Sequence, residues 1–179
     1  MTTTLRWLAL AGAALVLNGP VAWPKDEPTL SEQVGTALAS FQRADSTLAE
    51  RLTGAVGYAV FPSVGKGGLV FGGARGTGQA FEQGRLIGEV VLTQVTFGLQ
   101  VGGQAFAQLV LFEDSAALDR LKESKLEMSA QIGAVAAAEG AAKNARYVEG
   151  VLIFTRPLTG LMAEATVGGQ RFRFRSEKP

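Results

Sequence analysis

The chain has 179 residues with 17 basic and 16 acidic side chains, 23 glycines, and neither histidine nor cysteine. Lacking those two residue types, it has no Ser-His-Asp or Cys-His nucleophile, no disulfide framework and no cysteine- or histidine-ligated metal. Arg6 is the one charged side chain in the first 23 residues, so acidic and basic groups balance beyond them, without the basic excess of a nucleic-acid binder.

Residues 1–23, MTTTLRWLALAGAALVLNGPVAW, run from a short polar start through an apolar stretch, Trp7 to Leu17, to a Gly-Pro break. This is the pattern of a secretory signal peptide, and the stretch is shorter than the roughly 20 apolar residues that span a bilayer. Cleavage is expected between Gly19 and Trp23, giving an exported protein of the periplasm or cell envelope. Residues 24–28 form a polar, proline-marked linker, 29–175 a single domain long enough for one core, and 176–179 a tail.

Thr29-Leu-Ser-Glu32 has the form of a capping box. Leu30, Val34, Leu38, Phe41, Leu48 and Leu52 follow at spacings of three, four and seven, which predicts one amphipathic helix from Thr29 to near Gly54, with Asp45 on its wet face. Its polar side carries Glu32, Asp45 and Glu50 against Arg43 and Arg51. A membrane-surface helix carries Lys and Arg there, so this one is expected to dock on the protein's own sheet.

After Gly54 the period becomes alternating, and strand segments are read at 56–62, 67–74, 77–83, 86–97, 99–104, 106–112, 126–136, 148–155, 160–167 and 170–175. One short helix interrupts them at 115–122, capped by Asp114 or Ser115. Residues 134–145, alanine-rich but broken by glycines, take no assignment. The stretch from Gly57 to Phe81 is dense in glycine, including the pairs Gly67-Gly68 and Gly72-Gly73, which implies bulges, sharp coiling or close backbone approach. Val101–Phe106 and Val167–Phe172 nearly repeat as VGGQAF and VGGQRF. The fold class expected is α+β: an N-terminal amphipathic helix packed on a strongly curved, glycine-rich antiparallel sheet, barrel-like, with one further short helix.

Gly65-Lys66 suggests the end of a phosphate loop, but Val60 stands where that motif needs its first glycine and Gly67 where it needs Ser or Thr. Glu113 and Asp114 suit a turn and cap, and the other carboxylates are scattered. No acid–base pair can be nominated, so no enzyme, cofactor or metal is expected. The sharpest charge pattern is Gln170-Arg-Phe-Arg-Phe-Arg175, which puts Arg171, Arg173 and Arg175 on one strand face and Phe172 and Phe174 on the other. Such a stripe either receives anionic oxygens or guards an exposed strand against aggregation.

The segments GYAVFPSVGKGGLVFGGARGTG, TFGLQVGGQAFAQLVLF and VLIFTRPLTGLMAEATVGGQ, in that order, resemble successive signatures of the SYLF domain family over about Leu30 to Arg175. The resemblance implies a non-enzymatic lipid-binding module. Eukaryotic members of that family bind phosphoinositides, partly through a basic N-terminal helix, and fungal members associate with actin. Here Ala138-Glu139-Gly140 lacks the family's proline, Met162-Ala-Glu-Ala165 replaces its Ala-Gly-Val-Ser, and the helix has no basic face. Anionic lipid or a membrane surface is therefore the expected partner, and actin is not. The positions carried over are Lys66, Arg75 and Arg156, which join Arg171, Arg173 and Arg175 as the expected headgroup contacts. The alternative is a protein-interaction or scaffold module that docks an envelope partner through a sheet edge or the N-terminal helix. A hydrophobic-ligand carrier with a cavity in the barrel is a third, minor possibility.

Overall fold

Helix α1 (Leu30–Ala44) starts where the capping box places it. Glu32 N–H donates to Thr29 Oγ1, and Thr29 N–H donates to Glu32 Oε2 at 2.7 Å. The computed structural model describes residues 27–129 and 135–177, without the side chains of 99–100 and 160–168. The signal-peptide assignment, 1–23, lies outside that range.

α1 ends at Asp45, and a separate helix, α2 (Leu48–Gly54), follows, so the single helix expected to reach Gly54 is broken in two. Asp45 itself, read as facing water, is 1% exposed. Its carboxylate accepts from Thr47 N–H (3.0 Å), Thr47 Oγ1 (2.6 Å), Gly140 N–H (3.1 Å) and Ala142 N–H (2.6 Å). The last two open a further helix in the unassigned alanine-rich stretch, 141–144, whose carbonyl end is held by Arg51 through Ala142 O and Ala145 O. Burial disfavours the Asp45 charge, but the bonds from Thr47, Ala142 and Gly140 outweigh it and hold the carboxyl below its ordinary range.

The strands are β1 (Gly57–Gly68), β2 (Phe71–Glu82), β3 (Arg85–Phe112), β4 (Glu127–Ser129), β5 (Val135–Ala136) and β6 (Val151–Ser176). Helix α3 (Ser115–Lys122) is capped by Asp114, which accepts from Ala117 N–H at 2.8 Å, and the helix at 141–144 is α4 (Ala141–Asn144). The described domain thus has three helices beyond α1, where one was expected. Segments read separately at 86–97, 99–104 and 106–112 are one strand, β3, and the last three segments run together in β6. They merge because bulges absorb the apparent breakers. Pro62 lies in the register shift of β1 and Pro157 beside that of β6, the positions where a missing N–H is tolerated.

Pairing is antiparallel except that β5 runs parallel to β6. β1 pairs both with β2 and with the second half of β3, while β2 pairs with the first half of β3. That closes a path through two short strands and one long bent one, and β6 follows β3 over most of its length. Glycine makes the curl sterically possible where strands crowd. A Cβ on Gly78 would overlap Val60 O and stand 2.8 Å from the Phe61 ring.

Two apolar layers result. Inside the curl lie Phe61, Leu92, Phe106, Val110 and Phe172, closed at one end by Leu118 and Leu121 of α3. On the outer face, Val34, Ala37, Phe41 and Leu48 of the helices pack on Leu109 and Phe154. α1 therefore docks on the sheet, as its charge pattern led us to expect. The buried Gln108 donates to Gln170 Oε1 at 3.1 Å, and Gln170 donates to Gln94 Oε1 at 3.2 Å, so one amide links the two halves of β3 across the interior.

Candidate functional site: an uncovered sheet face

Among the described residues, the helices leave bare a strip of the outer face: residues 71–77 of β2, 93–97 of β3 and 169–175 of β6. Register sets its composition in rows across the strands. Arg75, Thr93 and Arg171 share one row, continued by Glu127 of β4. Thr77, Val91 and Arg173 form the next row, then Gln79, Glu89 and Arg175. Ala74, next to Arg75, and Phe172, between Arg171 and Arg173, point the other way and are buried, as strand alternation requires.

Arg75, Arg171, Arg173 and Arg175 are thus brought together on one exposed face. Their charges are not equivalent. Arg171 donates from Nε to Glu127 Oε1 at 2.8 Å and is ion-paired with it at 2.6 Å, whereas Arg75, Arg173 and Arg175 have no ion pair among the described residues. Lys66 does not join them. It shares its strand face with the buried Val64 and pairs in register with the inward-facing Ala74, so it belongs to the concave side.

Arg156 is also elsewhere. Its Nε donates to Ser40 Oγ of α1 at 3.2 Å, and with Arg43, Gln33 and Thr36 it lines an open groove of about 320 Å³ between α1 and the sheet. The expectation of one basic surface built from six cations therefore resolves into a four-arginine face, Arg156 in a groove that it shares with Arg43, and an inward lysine. Among the described residues no three carboxylates gather into a metal-binding group, and no helix is long and apolar enough to cross a membrane.

Sequence reasoning missed what lies at the far end of the bare strip. Of the eight large apolar side chains left exposed among the described residues, six gather there: Leu69, Val70, Phe71, Val95, Phe97 and Val101. Phe71 is 73% exposed and Phe97 54%, and their rings meet at 5.1 Å between centroids. Gly98 N–H donates to Val70 O at 3.0 Å, tying the β1–β2 turn to the bend of β3, where Gly98 and Gly102 take φ of 139° and 111°. The signal was present in Gly68-Leu69-Val70-Phe71, which puts large apolar residues where a hairpin turn ordinarily carries polar ones. Between this tip and the first arginine row, register places Gly73, Val95 and Gly169 side by side.

No family model matches the chain. It is similar to Beta cell expansion factor A of Aeromonas veronii, with 32% identity over 72 residues, which is 40% of this chain. The matched stretch spans 28% of that protein's length.

Proposed function

We propose that this domain is a non-enzymatic lipid-binding module of the cell envelope, exported by its N-terminal leader, that attaches to anionic membrane surfaces. The observation that carries this reading is the bare sheet face with Arg75, Arg173 and Arg175, cations without ion pairs among the described residues, standing in successive rows. Guanidinium groups match phosphate oxygens bidentately, and a face clear of helices lets several reach one plane. The resemblance to the SYLF family supports the same reading. The three segments that carry it fall on the β1–β2 hairpin, the second half of β3 and β6, which are neighbours in the sheet.

The test is co-sedimentation of the chain from Pro24 onward with neutral and anionic vesicles at low and high salt. A start at Pro24 keeps all the described residues, which begin at Glu27, and omitting the leader prevents its apolar run from binding lipid by itself. Binding to anionic vesicles is expected to weaken with salt. At about 1 kcal/mol per cation near an anionic surface, the triple replacement Arg75→Gln, Arg173→Gln, Arg175→Gln costs roughly 100-fold in low-salt affinity. Arg171→Gln alone costs much less, because Glu127 already holds that charge. Absence of binding to any vesicle would move the function to a protein partner.

A further inference from the structure

We infer that the apolar tip, Leu69, Val70, Phe71, Val95, Phe97 and Val101, enters the bilayer, with the arginine rows setting its depth. This inference rests on the lipid-binding reading and adds to it the element that leaves water.

The tip is anomalous as the surface of a protein wholly in water. Exposed apolar side chains scattered singly are ordinary, but six large ones gathered on one turn and its neighbouring strand form a patch of the kind that marks an interaction site. Its occupant is argued from the charge beside it. Two residues along the strands, about 7 Å, separate Val95 from the row of Arg75, Thr93 and Arg171, and Arg173 stands one row further. Interfacial elements bury their apolar side about 5–10 Å below the headgroups. A tip sunk to Val95 therefore puts Arg75 and Arg171 at the level of the phosphates. The intervening glycines, Gly73 and Gly169, add no bulk at that boundary. A second copy meeting tip to tip would instead bring two sets of arginine rows toward each other, a repulsive arrangement that anionic headgroups turn into an attractive one.

The absence of cysteine permits a direct test, since any introduced thiol is unique. In the chain from Pro24 onward, Val70→Cys, Val101→Cys and, on the exposed side of α1, Gln42→Cys are each labelled with an environment-sensitive nitrobenzoxadiazole dye. Vesicles of equal phosphatidylglycerol and phosphatidylcholine are added, with and without nitroxide on the acyl chains. The expected result is a blue shift and a several-fold rise at positions 70 and 101, quenched by the nitroxide, with position 42 unchanged.

Co-sedimentation with unchanged dyes at 70 and 101 would overturn the insertion and leave surface binding standing. No co-sedimentation would remove both. A blue shift without vesicles that vanishes on dilution would assign the tip to a second copy and overturn the proposal. In a second arm, Phe71→Ser with Phe97→Ser, both exposed and so expected to leave the fold intact, lowers vesicle affinity by about tenfold or more at high salt, where the arginine contribution is screened.

Discussion

Asp45→Ala is expected to lower stability by about 3 kcal/mol or more, read as a fall in the urea midpoint at unchanged slope. The substitution removes no apolar packing. What it strands are the N–H groups of Gly140 and Ala142 and the amide and hydroxyl of Thr47, four donors that meet on one carboxylate 1% exposed. Each buried donor left without a partner costs about 1–3 kcal/mol. Asp45→Asn keeps one acceptor oxygen and turns an amide toward a donor, so it falls between wild type and alanine.

The pH dependence of this contribution has a definite sign. Burial works against the Asp45 charge and the four hydrogen bonds for it. The net result is a carboxyl that titrates below the ordinary aspartate range. A folded-state value depressed below the unfolded one contributes stability that is complete above the unfolded value and is lost as pH falls through the folded one. The gap between wild type and Asp45→Asn in urea unfolding is therefore expected to be largest near neutrality and to close as the pH drops below about 4. A gap that does not change with pH would mean that the four bonds act without the charge.

Gly78→Ala is the second substitution with a large expected effect, on the order of 2–4 kcal/mol of destabilisation. The added Cβ would occupy the space of Val60 O and press on the Phe61 ring at 2.8 Å. Most of the obstruction is backbone, so it cannot be relieved by a rotamer change, and β1 would have to move away from β2 just before its bulge. Gly73→Ala is the matched control. There a Cβ meets only Gln94 O, at an ordinary 3.5 Å, and a small gain of about 0.5–1 kcal/mol is expected from the loss of backbone freedom in the unfolded chain. Thermal or urea unfolding of the pair measures both. Equal effects would show that glycine is used in this sheet only for flexibility.

The contrast between those two glycines shows what was legible in the sequence. That glycine-rich strands would curl and crowd one another could be read directly, as could the Thr29 capping box, the span of α3 and its Asp114 cap. These are local signals, and each has its cause within a few residues. Asp45 was misread because its burial depends on α4, 95 residues later. The continuity of β3 and β6 was hidden because Gly98, Gly102 and Pro157 look like breaks until a partner strand absorbs them as bends and bulges. The arginine face was half visible. Alternation put Arg171, Arg173 and Arg175 on one side of a strand, but only register could bring Arg75 to them, turn Lys66 inward and send Arg156 to the α1 groove. The apolar tip escaped notice because an apolar residue in a strand, as Val95 and Phe97 are, shows its exposure only once the strip around it proves bare.

The pairing of β6 with β3 also governs how the chain reaches this arrangement. Gly88 meets Ser176, and Phe172 of the last strand fills the interior beside Phe61. Contacts that complete the core thus join residues more than eighty positions apart in sequence, and their loop-closure entropy is spent before the burial that offsets it is gained. Acquisition of the native state is therefore slow relative to helix formation in α1 and α3. Until β6 arrives, the inner face of β3 stays open, and a chain still without its final strand exposes the apolar surface that Phe172 covers in the finished fold.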